Sequence, residues 1–201
     1  MASRSTSPLL KGLPDLPPAF FTSSGSALRV AMRKLWSDHV IWTRDYVVNA
    51  VADSESAQES ALRLLRNQED IGKAIVPYYG KDAGDKLTTL LKEHITIAVD
   101  LVAGAKAGDQ RKLKDADERW TQNANTIASF LADANPHWPQ EQVADLLSLH
   151  LDLTKQEATA RIQKNWADDT QAFDDIFNEI MTLADALAAG IVKQFPEKFA
   201  R

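Results

Sequence analysis

The sequence predicts an all-α fold, a six-helix bundle built from three helical hairpins. Between residues 27 and 195, apolar residues recur at intervals of three and four, the period of a helix, with almost no alternation typical of strands. Turn-forming residues collect at a few points that divide this region into six segments. A pattern of about 55 residues occurs three times, which favours three similar units over an uneven bundle of six unrelated helices.

Composition favours a single core, with a second domain only if both are small, and excludes several classes of function. A chain of 201 residues, 44% hydrophobic, fits one globular domain. Its 23 Lys and Arg against 28 Asp and Glu give a net charge of -5, without the basic excess that nucleic-acid binding requires. The absence of Cys excludes disulfides, thiolate zinc sites and cysteine nucleophiles. No apolar run reaches the roughly 18 residues that cross a bilayer, so we expect a soluble, cytoplasmic protein that does not bind a membrane. From the charge balance we expect no binding to nucleic acid.

Residues 1–26 differ from the rest and are predicted to form a partly ordered arm ahead of the helical domain at residues 27–201. The segment is rich in Ser and Thr and holds four of the eight prolines, which interrupt helices and strands. Its leucines and the pair Phe20 and Phe21 are too many for a plain spacer, so part of the arm is expected to dock on the bundle in extended form. A cleaved targeting peptide is the alternative.

The first three helices have recognisable ends. The first helix is predicted from Ala27 onward. Ser56 and Glu59 have the spacing of a capping box and predict the start of the second helix. Pro77 is predicted to stop that helix, and Asp82 to cap the third.

The sequence signals that separate the third to sixth helices differ in strength. Gly108 followed by Asp109 predicts the end of the third helix and the cap of the fourth. The run at residues 135–139 ends the fourth helix and places its second proline at the first position of the fifth. Residues 165–169 hold Asn and Asp without Gly or Pro, so helices five and six are either separate or one kinked helix.

The repeat is marked by His39, His94 and His150, which are separated by 55 and 56 residues. Apolar or aromatic residues stand seven, four and three positions before each histidine. They are Met32, Leu87 and Val143, then Leu35, Leu90 and Leu146, then Trp36, Leu91 and Leu147. These offsets trace one face of a helix, so each histidine is predicted to point into the bundle.

Each histidine has a polar counterpart on the following helix. At 28, 29 and 29 residues beyond the histidines stand Asn67, Asn123 and Glu179. In the second hairpin the turn at Gly108 lies 14 residues after His94 and 15 before Asn123, so antiparallel packing brings these side chains to one level. The six residues are therefore predicted to form one buried polar layer. One helical turn further on are Asp70, Thr126 and Thr182.

Two interpretations of the layer need no catalysis. Buried polar groups without partners cost about 1–3 kcal/mol each, so these six must bind one another, water or a ligand. In the favoured interpretation, the six residues hydrogen-bond one another and fix the register between the helices. This interpretation indicates a non-catalytic binding or scaffold protein. The second interpretation is a pocket for a small organic ligand, lined by the same groups with Trp36, Trp42, Trp120, Thr126 and Thr182.

The third interpretation is a metal-dependent enzyme. Three neutral imidazoles with Glu179 beside them have the chemistry to bind a divalent zinc or iron ion and leave one position open, with Glu179 or Asp70 as the base. Standard signatures are absent, including paired Glu-x-x-His motifs, His-Glu-x-x-His and the phosphate-binding loop. The pattern thus indicates no particular reaction and no oligomeric state.

Four segments resemble an uncharacterised, mainly bacterial family of small all-helical proteins. They are residues 35–44 (LWSDHVIWTR), 67–72 (NQEDIG), 91–95 (LKEHI) and 150–154 (HLDLT). The resemblance covers about residues 31–199 and implies a single helical domain. Members of that family carry labels such as glycosyltransferase or acetylglutamate kinase, which imply sheets and phosphate-binding loops that this sequence lacks.

Overall fold

A computed structural model describes residues 16–200, and within them the chain forms six α-helices and no β-strand. The helices are α1 (Ser23–Val51), α2 (Ala57–Tyr79), α3 (Lys81–Ala107), α4 (Gln110–Ala134), α5 (Gln140–Ile162) and α6 (Trp166–Gln194). Short 3-10 turns precede and follow them at Pro18–Phe21 and Pro196–Lys198. The predicted all-α class is confirmed. Within residues 16–200, no helix combines the length and apolar character needed to cross a membrane.

The six helices form a closed ring. Each helix packs on its neighbours in the chain, and α6 returns to pack on α1. In addition, α1, α3 and α5 contact one another across the centre of the ring. These contacts are those expected of three hairpins, α1 with α2, α3 with α4 and α5 with α6, arranged around an approximate threefold axis. The first helix of each hairpin therefore supplies the innermost side chains.

The N-terminal boundary differs from the prediction. Helix α1 begins at Ser23, four residues before Ala27, because Thr22 accepts a hydrogen bond from the backbone N–H of Gly25 at 3.2 Å. An N-cap of this kind satisfies one of the free amides of the first turn. The Thr22 hydroxyl also donates to the backbone oxygen of Phe199 at 3.0 Å, which joins the two ends of the domain.

Part of the predicted arm docks on the bundle, but as a 3-10 turn and not in extended form. The turn at Pro18–Phe21 places the Phe20 side chain in the core, where it is fully buried. Pro18 occupies the first position of the turn, where a proline removes no hydrogen bond. The rest of the predicted arm, residues 1–15, lies outside the described residues.

Several predicted helix ends are displaced. Helix α2 continues two residues past Pro77 to Tyr79, because a proline in the last turn interrupts little of the helix. The Ser56 side chain makes no capping bond, so the capping box is not formed. Gly80, with a φ of 82°, is the cap position of α3 in place of Asp82, which lies in the first turn.

The predicted break between helices five and six, which had the weakest sequence signal, is present in the structure. Helices α5 and α6 are separate, with Lys164 at a φ of 59° turning the chain between them. Asn165 then caps α6 through its side-chain oxygen. The Asp109 cap of α4 forms as predicted, accepting from the Lys112 backbone N–H at 3.1 Å.

Helices α2 and α3 approach so closely that a glycine is required. A Cβ on Gly72 would lie 1.9 Å from Thr88 Oγ1 and 2.6 Å from the backbone oxygen of Gly84. We therefore expect Gly72→Ala to destabilise the protein by about 1–3 kcal/mol, because the helices must separate. Urea unfolding followed by circular dichroism measures this effect.

Thr89→Ala is the control for this substitution, since Thr89 is exposed and its hydroxyl donates to the backbone oxygen of Asp85 in the same helix. The control should change stability by less than about 0.5 kcal/mol. Equal effects of the two substitutions would contradict the close approach.

Candidate functional site: the buried histidine layer

The three histidines meet in the interior. His39 on α1, His94 on α3 and His150 on α5 are only 2–3% exposed. Their ring centroids are 5.5 Å apart for His39 and His150, 6.4 Å for His94 and His150, and 6.5 Å for His39 and His94. This is the common depth expected from the spacing of the repeat. We call these rings and their hydrogen-bonded partners the histidine layer.

Two of the three histidines have the hydrogen-bond partners that the sequence predicts. His94 Nδ1 lies 3.0 Å from Asn123 Oδ1, and the Asn123 amide also donates to the backbone oxygen of Leu90 at 3.1 Å. His150 Nδ1 lies 3.0 Å from Glu179 Oε2. Each bond joins the two helices of one hairpin, and all four side chains are buried.

The partner of His39 is Gln68, where the sequence prediction had Asn67. Gln68 Nε2 lies 3.2 Å from His39 Nδ1. Asn67 is fully buried beside it, donates to the backbone oxygen of Leu35 at 3.0 Å and accepts from Gln68 at 3.1 Å. The signal that identifies Gln68 was present in the sequence: it follows His39 by 29 residues, the separation found in both other hairpins.

Three residues placed one turn from the layer do not belong to it. The Asp70 side chain is 49% exposed and lies 3.7 Å from Lys73. Thr126 is exposed, and Thr182 donates within its own helix, to the backbone oxygen of Asn178 at 3.2 Å. The next residue along each helix is the buried one, and these residues are Ile71, Ile127 and Leu183. Asp70 is therefore too remote to act as a base for the histidines.

Two of the three predicted tryptophans contact the histidines. The Trp36 and Trp120 rings are buried, with centroids 5.6 Å from His39 and 5.1 Å from His94. Neither indole N–H has an acceptor among residues 16–200. Trp42 was wrongly placed: it is only half-buried, and the guanidinium of Arg63 lies 5.2 Å from its ring centre.

The space beside the imidazoles is small. The three histidines line a cavity of about 20 Å³. The remaining lining residues are Thr43, Tyr46, Val47, Leu64, Ile95, Ala98, Val99, Leu101, Val102, Trp120, Thr154 and Ala158. Pockets for organic ligands measure roughly 300–1,000 Å³, whereas about 10–15 Å³ admits one water molecule. The predicted pocket for an organic ligand is therefore wrong at this position.

Burial keeps His39 and His94 uncharged. Removal from water lowers the pKa of His94 to about 3, and the nearby His150 adds to this effect. Burial likewise lowers the pKa of His39 well below its ordinary value, with further contributions from His150 and His94. Both rings are therefore neutral at pH 7.

The arrangement is not that of a metal centre. Among residues 16–200, no group of three or more His, Asp or Glu side chains is placed to hold a metal ion. Each imidazole already uses Nδ1 within its own hairpin. The three-histidine zinc or iron site considered from the sequence is thus not found.

Sequence reasoning missed a buried ionic cluster close to the layer. Arg44 Nη1 lies 2.5 Å from Glu157 Oε1 and 3.0 Å from Asp169 Oδ1, and Arg161 donates to Asp169 Oδ2 at 3.0 Å. Glu157 and Asp169 are 1% and 2% exposed. Burial raises the pKa of Glu157 to about 7, against the opposing effect of Arg44. We call these four residues the ionic cluster.

No family model, curated protein or solved structure matches the chain. The resemblance to an uncharacterised bacterial helical family therefore stays a prediction. What the protein does must be argued from the histidine layer and its surroundings.

Proposed function

We propose that the protein is a non-catalytic binding or scaffold protein, and that the histidine layer holds its three hairpins in register. The observation that supports this is the use of Nδ1: each imidazole bonds a side chain 29 residues further on, in the second helix of its own hairpin. A slip of one position along either helix breaks that bond. It leaves two buried polar groups unpaired, at about 1–3 kcal/mol each.

The size of the cavity supports a structural role for the layer. About 20 Å³ beside the imidazoles leaves no room for an organic substrate to lie against them. Binding of a larger partner would therefore use the exterior of the bundle. The layer contributes by keeping the six helices, and hence that exterior, in one arrangement.

The experiment that tests this role replaces the whole layer with leucine. The positions are His39, Gln68, His94, Asn123, His150 and Glu179. We expect the variant to stay helical by circular dichroism but to lose the dispersion of its NMR signals and to bind a hydrophobic dye. The reason is that an apolar interior does not distinguish one register from another, whereas paired polar groups do.

A matched control changes the apolar positions one turn away. Ile71→Leu with Ile127→Leu conserves volume and hydrophobicity at a similar depth, so the native spectrum should persist. A six-leucine variant with a single sharp set of NMR signals and cooperative unfolding would overturn the register role.

A further inference from the structure

We infer that two copies of the chain form a dimer by exchanging their α1–α2 hairpins, with Gly80 as the hinge. Two features of the molecule support the exchange: the backbone at Gly80, and the way in which this hairpin is attached to the rest of the ring. Neither feature depends on the register role proposed for the histidine layer.

Helices α2 and α3 are separated by a single residue, Gly80. Its φ of 82° and ψ of 171° lie in a region that only glycine occupies at low cost. The hydrogen-bond pattern of a helix nevertheless reaches Gly80 from both sides. Its N–H donates to the backbone oxygen of Val76 at 3.0 Å, and its oxygen accepts from the N–H of Gly84 at 3.2 Å. Rotation of the backbone at this one residue would therefore join α2 and α3 into one helix, residues 57–107, which we call the joined helix.

The joined helix satisfies backbone groups that the bend leaves without helical partners. As the cap residue of α3, Gly80 has no side chain that could accept from the free N–H groups of the first turn. In the joined helix, the N–H groups of Lys81, Asp82 and Ala83 donate to the oxygens of residues 77–79. Pro77 adds no new penalty, because it already lies inside α2. Straightening therefore adds backbone hydrogen bonds, and it is chiefly the tertiary contacts of the ring that oppose it.

The α1–α2 hairpin is attached to the rest of the ring by one hinge and by side chains. On its C-terminal side, the chain continues through Gly80 alone. The border between α1 and α6 has no connecting loop, because these are the first and last helices of the ring. At one end of that border Arg29 and Arg33 donate to Asp185 at 2.6–3.0 Å, and at the other end the ionic cluster joins the two helices. The hairpin can thus leave the ring as one unit.

A second copy of the chain is the partner that this hairpin fits. Release of the hairpin exposes core side chains, among them Trp36, Leu64 and Ile71, which are only 1–5% exposed in the ring. The surface that the hairpin has left is complementary to them, and in a dimer each copy offers that surface to the other. His39 keeps its bond to Gln68 during the exchange, since both residues belong to the hairpin.

The exchange places two joined helices side by side. In the ring, α2 and α3 run in opposite directions and are closest at Gly72, where a Cβ would lie 2.6 Å from the backbone oxygen of Gly84. In the dimer, α2 of each copy makes this contact with α3 of the other. The two joined helices, each about 77 Å long at 1.5 Å per residue, therefore run antiparallel around a twofold axis.

Size-exclusion chromatography with light scattering tests the exchange on the full chain. After unfolding in urea and refolding at high protein concentration, we expect part of the protein at twice the 22.2 kDa of one copy. Refolding at low concentration should give the monomer alone, because only a second copy can supply the missing contacts.

A pair of cysteines distinguishes exchange from association of surfaces. Ser37→Cys with Met181→Cys places one thiol on each side of the border between α1 and α6, where Ser37 Oγ and Met181 Sδ are 3.9 Å apart. The natural chain has no cysteine that could interfere. Oxidation of the dimer fraction should link the two copies on a non-reducing gel, whereas the monomer fraction should stay monomeric. A dimer whose thiols link only within each copy would overturn the exchange.

Gly80→Ala should shift the equilibrium towards the dimer. A Cβ at this position meets nothing within 4 Å, so the change acts on the backbone and not on packing. Leaving the disfavoured conformation is worth at least about 5-fold for each hinge. With two hinges in each dimer, the dimerisation constant should rise at least about 25-fold.

Two further variants serve as controls. Gly108→Ala changes another glycine of positive φ, 67°, with equally open space around its Cβ. Gly108 lies outside the hinge and keeps its conformation in both forms, so the dimer fraction should not change. Insertion of Gly-Ser-Gly-Gly after Gly80 interrupts the joined helix and should abolish the dimer while the monomer stays helical by circular dichroism. The inference would be overturned by a parent and a Gly80→Ala variant that both stay monomeric, by a dimer that survives the insertion, or by an equal rise in Gly108→Ala.

Discussion

Replacing Arg44 with methionine is expected to destabilise the protein by about 3–5 kcal/mol, because the change leaves buried carboxylates without their partner. Arg44 donates to Glu157 at 2.5 Å and to both carboxylate oxygens of Asp169, at 3.0 and 3.2 Å. Without it, Asp169 keeps one bond to Arg161, and no other ion pair to Glu157 is present among residues 16–200. The free energy of unfolding in urea measures the effect.

Two further variants separate charge from packing. Arg119→Met removes an ion pair of similar geometry with Asp100 and Asp115, but its side chain is 44% exposed, so we expect a loss under about 1 kcal/mol. Adding Glu157→Gln to Arg44→Met should recover part of the stability, since one unpaired carboxylate is gone. An effect of Arg44→Met no larger than that of Arg119→Met would show that the ionic cluster is not buried as described.

The helices and the depth of the histidines could be predicted because both follow from distances along the chain. In a hairpin, residues equally far from the turn lie at the same level, and the turn at Gly108 is nearly midway between His94 and Asn123. The three hairpins share this spacing. The pairing of His94 with Asn123 therefore gives the separation to expect in the other two hairpins, 29 residues.

The apolar pattern of the sequence does not decide whether Asn67 or Gln68 is the partner of His39. Both are amides, both are fully buried, and they differ by one position. One position is a rotation of about 100° around the helix, which periodicity from apolar residues fixes poorly at the edge of a buried face. The constant separation of 29 residues was the better guide.

The ionic cluster could not be predicted, for a different reason. Arg44, Glu157 and Asp169 lie on α1, α5 and α6, so their contacts depend on how hairpins pack against each other. Sequence spacing sets the level of a residue within one hairpin. It carries no information on which surfaces of two hairpins meet.

The effect of His94→Leu on the free energy of unfolding is expected to change sign as the pH falls. At pH 7 the variant should be about 1–3 kcal/mol less stable than the parent, because Asn123 Oδ1 loses its hydrogen-bond donor in the interior. The pKa of His94 is 6.5 in an unfolded chain and about 3 in the fold. Between these values the unfolded parent binds more protons than the folded one, so the contribution of a neutral His94 is lost progressively.

The comparison with the variant isolates this contribution from other titrating groups. By about pH 4 the parent should have lost on the order of 3 kcal/mol through His94, whereas the leucine variant loses none of it. Glu157, whose pKa is raised to about 7, favours the folded state as the pH falls towards 4.5, but it does so in both proteins. The variant should therefore become at least as stable as the parent near pH 4.

Ile127→Leu is the control for the pH series. It changes a buried residue on the same helix as Asn123 without removing a titrating group, so its effect on stability should be the same at pH 7 and pH 4. Unfolding in urea at a series of pH values measures all three proteins. A difference between parent and His94→Leu that does not change with pH would mean that His94 is not held neutral in the interior, because protonation would then favour neither the folded nor the unfolded state.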